Sequence, residues 1–425
     1  MNSVRLGLQV LGRASHTVIV LTGAALRFGT SRLGNAAARD RPPTYSLGAA
    51  VFHVARSLGG GWIKIAQILS TRHDLFSATD IALLSTLRAS CSHQPLALVI
   101  ADEDAWIREI FDIQPHPIAS GAIAQVHLAT DRRTGDLIAL KLKKIGIDQL
   151  IGLDLRLFSA AARILARVPQ IRSIPIKELS KDISDKLYEQ LDFEKEALNI
   201  EIFRSWNFFP KRIRFPTVVC RPSKNILAMS FETNLTPIDQ SNCENQHEVI
   251  KDCMRSIFEM IFFFGIVHCD IHPGNLQLNQ YSQLLYLDFG LVSRMEAATM
   301  GNFREFFLSV SLGKGDIAAN IIVNTAISVP EIFDIDKFRF DVSKLISSYS
   351  RLTAEKFSLT TFVSNLYLIQ RSHGVYGTPE FFWPIYALFC IEGLVRKQHP
   401  KLDFQRMAMD YIIERRFGAA PSIER

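Results

Sequence analysis

His268-Cys269-Asp270-Ile271-His272-Pro273-Gly274-Asn275 and, one predicted hairpin later, Asp288-Phe289-Gly290 set the terms on which the rest of the chain is read. The first stretch has the form H-x-D-x-x-x-x-N, which places a carboxylate and an amide on one tight loop where both can face one phosphate. Leu276, Leu278, the polar turn Asn279 to Ser282, and Leu285 and Leu287 read as a hairpin that returns the chain to Asp288. A second carboxylate is thereby delivered beside the loop. Phosphoryl transfer needs this grouping: oxygen ligands that hold Mg2+ on the phosphates, and a separate carboxylate that orients or deprotonates the attacking group. Asn275 and Asp288 are the expected metal ligands, and Asp270 the catalytic carboxylate. His268 reads as a residue that packs and hydrogen-bonds to hold the loop. Either motif alone arises by chance, so their order and hairpin linkage carry the reading.

Upstream, Ile138-Ala139-Leu140-Lys141 has the pattern of the third strand of a protein-kinase-like fold, whose lysine reaches the nucleotide phosphates and is held by a helix glutamate. In the helix predicted over Leu187 to Phe203, Glu196 is the best partner for Lys141, with Glu194 and Glu201 as alternatives. Any of these acids could also be a solvated helix charge. Ala119-Ser120-Gly121-Ala122 fits the turn that covers phosphates, because small residues let backbone N–H groups approach anionic oxygens. Around it the pattern predicts an antiparallel sheet: Ile110 to Ile118, Ile123 to Ala129, a turn at Asp131 to Asp136, Leu137 to Leu142, and Asn225 to Phe231. Asp148 to Phe208 reads as helices broken near Pro169 and Pro175, and beyond Glu244 the chain reads as mainly helical apart from one hairpin. The fold class is therefore α+β, a bilobal kinase-like architecture that binds Mg-ATP between Lys141 and Asp288. Its expected parts are an N-terminal segment (1–44), a helical extension (45–109), an N-lobe with inserted helices (110–235) and a helical C-lobe (236–425).

A chain of 425 residues that is 48% hydrophobic can bury a large core. Its formal charge of +6 suits anionic partners such as phosphates or lipid headgroups. No basic cluster is dense enough for nucleic acid. The cysteines Cys91, Cys220, Cys243, Cys253, Cys269 and Cys390 are scattered without a C-x-x-C pair, which argues against a zinc site or disulfide framework and fits a reducing compartment. The first 39 residues carry Arg5, Arg13, Arg27, Arg32 and Arg39 and no acid, with an apolar run from Thr17 to Leu26. That run is too short for a membrane span of about 20 residues. A weak signal-peptide core, an organelle transit peptide, a basic amphipathic helix on a membrane and an exposed helix ahead of the domain all remain open. Asp40-Arg41-Pro42-Pro43-Thr44 has linker composition, so folded sequence is expected from near Tyr45. The run Phe381 to Val395, interrupted by Pro384 and Glu392, reads as a buried C-terminal helix.

Further motifs resemble the UbiB (AarF/ADCK) family of atypical protein-kinase-like proteins, over about Tyr45 to Phe404. Gly61 to Asp74, reading G-W-I-K-I-A-Q-I-L-S-T-R-H-D, is similar to that family's K-x-G-Q segment and its S-T-R-x-D continuation. Ile123 to His127 (I-A-Q-V-H), Leu191 to Asn199 (L-D-F-x-x-E-A-x-N), His272-Pro273-Gly274-Asn275 and Ile391-Glu392-Gly393-Leu394 complete the resemblance. It implies that the helix carrying Lys64 and Gln67 packs across the nucleotide cleft, which disfavours phosphorylation of proteins in trans. It further implies an ATP- and Mg2+-dependent ATPase or small-molecule or lipid kinase serving isoprenoid-quinone biosynthesis or lipid handling. The implied partners are an anionic membrane lipid or isoprenoid-quinone precursor and proteins of quinone biosynthesis. The implied location is cytoplasmic and peripheral at the inner membrane, or mitochondrial if the N-terminus is a transit peptide. The rival readings are a soluble small-molecule phosphotransferase and a nucleotide-binding pseudokinase scaffold.

The departures from the family pattern concern charge and flexibility. Ala66 replaces the motif glycine, a change that a helix accepts. The family's E-x-D pair reads Gln190-Leu191-Asp192, which leaves Asp192 as the expected charged partner of Lys64. The hinge reads Met229-Ser230 in place of M-E. Gly121 interrupts an alanine-rich loop and makes it more flexible. Gly121→Ala is expected to change the ratio of ATP to ADP affinity, measured by calorimetry; an unchanged ratio would remove Gly121 as a determinant.

Overall fold

Alternating apolar residues build the sheet that organises the first half of the chain. The computed structural model describes residues 2–36, 45–70, 76–87, 93–100, 104–167, 176–241, 245–349, 356–377, 379–399 and 401–417. The expected linker at 40–44, the T-R-H-D stretch at 71–74 and the breaks at Pro169 and Pro175 lie outside the described residues. The chain divides into two compact units, Met1–Lys195 with Val218–Phe231 and Glu196–Thr217 with Glu232–Arg425.

In the first unit, β1 (Phe111–Ser120), β2 (Ala124–Asp131), β3 (Leu137–Lys143) and β4 (Ile226–Ser230) form an antiparallel sheet in the order β1-β2-β3-β4. Side chains alternate along a strand, so Ile138, Leu140 and Leu142 share one face. They pack with Phe111, Ala129, Ile226 and Ala228 under Val99, Ile100 and Ile107. Lys141 and Lys143 fall on the opposite face, in register with the β4 end (Lys141 opposite Leu227). The predicted loop Ala119–Ala122 is shorter than its sequence suggested. Ala119 and Ser120 pair with Val126 and Gln125 as part of β1, because pairing satisfies their backbone groups, and the turn begins at Gly121.

Helices α1 (Asn2–Ala36), α2 (Leu47–Leu58), α3 (Gly60–Leu69) and α4 (Ala78–Ser85) precede the sheet, and α5 (Ile147–Leu165) and α6 (Ile176–Glu189) follow β3. The fold begins before Tyr45: α1 packs on α2 and α5, with Thr17 and Ala24 buried and Val18, Ile19 and Leu26 exposed. One buried ion pair explains this earlier start. The Arg13 guanidinium donates to Asp154 on α5 from Nη2 (2.7 Å) and Nε (3.0 Å), and to the carbonyl of Leu58 from Nη1. Asp154 also crowds the start of α3, where a Cβ at Gly61 would lie 2.9 Å from Oδ2, and the preceding Gly59 and Gly60 have φ of +64° and +54°. Only glycine takes that path without strain.

The single helix predicted over Leu187 to Phe203 is two helices. α6 ends at Glu189 and α7 (Phe193–Ser205) begins after Asp192, whose Oδ1 accepts from the N–H groups of Glu194 (3.1 Å) and Lys195 (3.4 Å). A carboxylate at that position satisfies helix N-terminal donors that otherwise lack partners.

In the second unit, α8 (Gln246–Glu259) runs into a π-helical turn, Met260–Phe264, closed by Gly265 at φ +72°. β5 (Ile266–His268) pairs antiparallel with β8 (Val292–Arg294), and between them β6 (Leu276–Leu278) and β7 (Leu284–Tyr286) form the expected hairpin. Short strands at Ile213–Arg214 and Thr236–Pro237 flank that hairpin. Helices α9 (Ala297–Ser311), α10 (Gly315–Asn324), α11 (Ile335–Tyr349), α12 (Leu359–Ser372), α13 (Phe382–Gln398) and α14 (Phe404–Phe417) follow, with one small strand pair, Ala326–Ser328 and Tyr376–Gly377. α13 is the expected buried helix, and its Glu392 accepts from Leu359 N (2.5 Å), Thr360 N (3.0 Å) and Thr360 Oγ1 (2.8 Å) at the start of α12. Among the described residues, no helix is long and apolar enough to cross a membrane.

Arg13→Met strands the buried Asp154 carboxylate and is expected to cost about 3 kcal/mol in urea unfolding. Wild-type stability in that variant would show that α1 is not held by this pair.

Candidate functional site

The predicted centre of the second unit is stitched together by its own backbone. Cys269 N donates to Leu291 O, Leu287 N to Asn275 O, and Asn275 N to His272 O. The loop that holds Asp270 and Asn275 is thereby fastened to the segment that holds Asp288. His268, fully buried, supplies the side-chain tie. Its Nδ1 accepts from Asp270 N (3.2 Å), so the proton of the neutral ring sits on Nε2 and is donated to Leu287 O (3.1 Å). Burial pushes its pKa below the ordinary histidine value, opposed by the neighbouring Asp270 carboxylate. The expectation that His268 holds the loop is met in this geometry.

Asn275 donates from Nδ2 to the Asp270 carbonyl (2.9 Å), which turns its amide nitrogen inward and reserves Oδ1, the atom a hard cation needs. Asp288 lies in the left-handed region, φ +56°, an uncommon conformation that Asp tolerates better than most residues. Its Oδ1 accepts from Gly290 N (3.3 Å). Asp270 remains partly exposed, with its Oδ1 3.8 Å from His272 Nε2. His272 was not singled out from its sequence, although H-P-G-N contained the signal. Gly274 N donates to His272 Nδ1, and a Cβ at 274 would lie 2.8 Å from the His272 ring. Behind the loop, α13 brings Cys390 and Tyr386 within reach of the Asp270 charge. Burial, aided by that charge, pushes the Cys390 thiol up to about 12, so it is inert as a nucleophile.

In the first unit, Lys141 Nζ lies 5.3 Å from the centroid of the Phe193 ring. Lys143 pairs with Asp148 (3.2 Å), and the buried Lys144 donates to Gly121 O (2.6 Å). Lys144 therefore puts a cation directly against the predicted phosphate turn, a contact that strand alternation alone does not disclose. Gly121 N is spent within the turn on Ala124 O (2.8 Å), so it is not among the N–H groups open to a phosphate. Ala122 is buried. Below the turn, His127 Nδ1 donates to Gln114 O (2.7 Å), while its Nε2 accepts from Gln125 Nε2 (2.9 Å), whose Oε1 accepts from Gln94 N (2.8 Å). The I-A-Q-V-H motif is thus a brace for the hairpin. Glu196, which belongs to the second unit, is 2% exposed.

The family-specific residues of the first unit are arranged differently from expectation. Gln67 Nε2 donates to Leu87 O (3.1 Å), tying α3 to the end of α4. Lys64 is half-buried on α3, and Gln190 is buried at the end of α6. No Lys64–Asp192 ion pair forms among the described residues. The Asp192 carboxylate is committed to the α7 N-terminus instead, where backbone donors in fixed geometry outcompete a flexible ammonium.

A sequence profile of the ABC1 atypical kinase-like domain matches residues 90–320, more than half of the chain. The chain belongs to this family. Among curated relatives, an uncharacterized protein of Synechocystis (slr0889) is 25% identical over 337 residues, covering 74% of this chain and 81% of its own. Proteins named probable protein kinase UbiB from Aliivibrio fischeri MJ11 and Vibrio vulnificus CMCP6 are each 26% identical, over 392 and 395 residues, covering 88% of this chain and 71% and 72% of theirs. Among solved structures, Rv3197 of Mycobacterium tuberculosis, determined with erythromycin, superposes with a TM-score of 0.54 at 18% identity, covering 90% of this chain and 97% of its own. That likeness establishes a shared kinase-like fold. The ABC1 assignment makes the chain an atypical kinase-like protein of the UbiB (AarF/ADCK) group.

His268→Phe leaves the Asp270 N–H and Leu287 carbonyl without their partner and is expected to cost about 2 kcal/mol. The sign of its pH effect follows from the depressed pKa. The unfolded chain takes up the proton near pH 6.5 and the folded one only below that, so wild-type stability falls as pH drops from about 7 to about 5. Denaturant titrations across that range should show a shallower decline in the variant.

Proposed function

We propose that this ABC1-family protein binds Mg-ATP and acts as an ATPase or as a kinase of a small molecule or lipid. The supporting observation is the donor set of the second unit. Asp288 and the Asn275 Oδ1 atom are hard oxygen donors on cross-bonded segments, and Asp270 lies on the same loop as Asn275, its carbonyl accepting from the Asn275 amide. Among the described residues, no group of three or more His, Cys, Asp or Glu side chains converges as a protein-only metal cage. This suits Mg2+, which takes one or two protein oxygens and fills its remaining positions with phosphate and water. Bound Mg2+ would neutralise phosphate charge. Asp270 would then accept the proton of the attacking hydroxyl or water as the γ-phosphoryl group passes to that oxygen and ADP leaves. In the first unit, Lys141 and the turn from Gly121 are the proposed phosphate contacts, with Lys144 holding that turn.

Service to isoprenoid-quinone or related lipid metabolism follows from the UbiB resemblance, as does a small acceptor in place of a protein. An anionic lipid surface is the proposed partner. The acid-free, arginine-bearing α1, with Val18, Ile19 and Leu26 exposed, has suitable chemistry to lie against it.

Purified protein should hydrolyse ATP, or transfer phosphate to a quinone-precursor mimic, faster with anionic vesicles than without. Phosphate transfer to a soluble metabolite without lipid stimulation would favour a soluble phosphotransferase, and binding without turnover a scaffold. Asp288→Asn should lower Mg2+-dependent nucleotide binding or turnover at least a hundredfold, in line with loss of a principal electrostatic contributor. Unaltered activity would refute the site.

A further inference from the structure

We infer that Asn199, the last residue of the L-D-F-x-x-E-A-x-N motif, is a positioning residue for the Asp288 carboxylate. This rests on the Mg-nucleotide reading above. Asn199 lies on α7 and is 7% exposed. Its Nδ2 donates to the carbonyl oxygen of Phe289 (3.0 Å), and its Oδ1 accepts from Arg294 Nη2 (2.8 Å) on β8. Arginine can only donate, so the contact with Arg294 fixes which end of the Asn199 amide carries the oxygen and turns the N–H donors toward Phe289.

The carbonyl that Asn199 holds belongs to the Phe289–Gly290 peptide. The N–H at the other end of that peptide donates to Asp288 Oδ1 (3.3 Å). A peptide unit is planar, so holding its oxygen also sets the direction of its hydrogen. The chain of contacts therefore runs from Arg294 to Asn199, across one rigid plane, to the carboxylate assigned to the metal. Asp288 has φ +56°, and a residue in that region keeps its conformation only when its surroundings specify it. One helical turn beyond Asn199, the Phe203 ring meets the Phe289 ring at a centroid distance of 5.1 Å. Helix α7 thus grips this segment by backbone and by side chain, and its approach is specified as well as its contact. The arrangement has the logic of outer-shell residues that orient metal ligands, whose loss typically weakens metal binding about 10- to 100-fold.

The test uses the full chain, with Asn199→Leu, which keeps the side-chain size without its polar atoms, and Arg294→Met, which leaves Asn199 in place but unoriented. Each is titrated with Mg2+ while binding of a fluorescent ATP analogue is followed, and nucleotide binding in chelator is measured in parallel. Amide hydrogen exchange at residues 289–291 is read in the nucleotide-free proteins. Asn199→Leu is expected to need at least about tenfold more Mg2+, Arg294→Met an intermediate excess, and both to exchange faster at 289–291. Metal-free nucleotide affinity should stay within about twofold of wild type, which a general loss of folding would not allow. If Asn199→Leu does not fold, Arg294→Met decides alone. Folded variants with wild-type Mg2+ dependence would overturn the role of Asn199, provided that wild type responds to Mg2+ and Asp288→Asn does not. A wild type indifferent to Mg2+ would instead overturn the nucleotide reading, and this role with it.

Discussion

The paired hydrogen bonds of His268 are the constraint on which the rest of the second unit depends. One buried ring accepts from the N–H of Asp270 and donates to the carbonyl of Leu287, so the residues before the loop and after the hairpin are held at a fixed separation. With that distance set, the carbonyl of Asp270 can meet the Asn275 amide, and the carbonyl of Asn275 can meet Leu287 N. A neutral imidazole suits the task because it offers one donor and one acceptor in a rigid plane. Burial keeps it neutral. The segments that carry Asp270, Asn275 and Asp288 are cross-bonded through their backbones.

The first unit uses a buried charge for a similar purpose. Asp154 receives the Arg13 guanidinium from α1 and sits against Gly61 at the start of α3, so the helix with Lys64 and Gln67 is anchored through α5. Gln67 ties the far part of α3 to Leu87. A buried ion pair contributes little net stability when intact but is costly to break, which makes it better suited to specifying an arrangement than to strengthening one. The same unit spends Lys144 on the carbonyl of Gly121. The turn at Gly121 is therefore held by a side chain as well as by the strand pairing on either side of it.

The departures from the family pattern take on physical meaning here. Asp192, the acid retained in Gln190-Leu191-Asp192, caps α7 and so bears on where that helix starts. Gly121 has an ordinary φ, and a Cβ there would meet only Ala124 O at 3.6 Å, so alanine fits without distortion. Space therefore does not require a glycine at 121.

Much of the fold and of the site was legible in the sequence because it depended on short periods and fixed spacings. The apolar alternation of Ile138, Leu140 and Leu142 announced the sheet, and H-x-D-x-x-x-x-N followed by a hairpin and D-F-G announced which segments would be cross-bonded. Glu392 and His127 stood out as motif members, but Leu359, which donates to Glu392, and Gln114, which accepts from His127, lie 33 and 13 residues away, and no local pattern names them. Asp192 was misassigned because an acid two residues before a helix donor and an acid facing a lysine look alike in one dimension. Arg13 and Asp154, 141 residues apart, could not be paired at all from spacing. The sequence by itself determined the chemistry available, since side-chain type and local periodicity are written in consecutive residues. Only the tertiary structure decided which carboxylate caps a helix, which receives a buried guanidinium and which accepts from a distant helix start, because each polar group takes whichever partner the folded chain brings within about 3 Å of it.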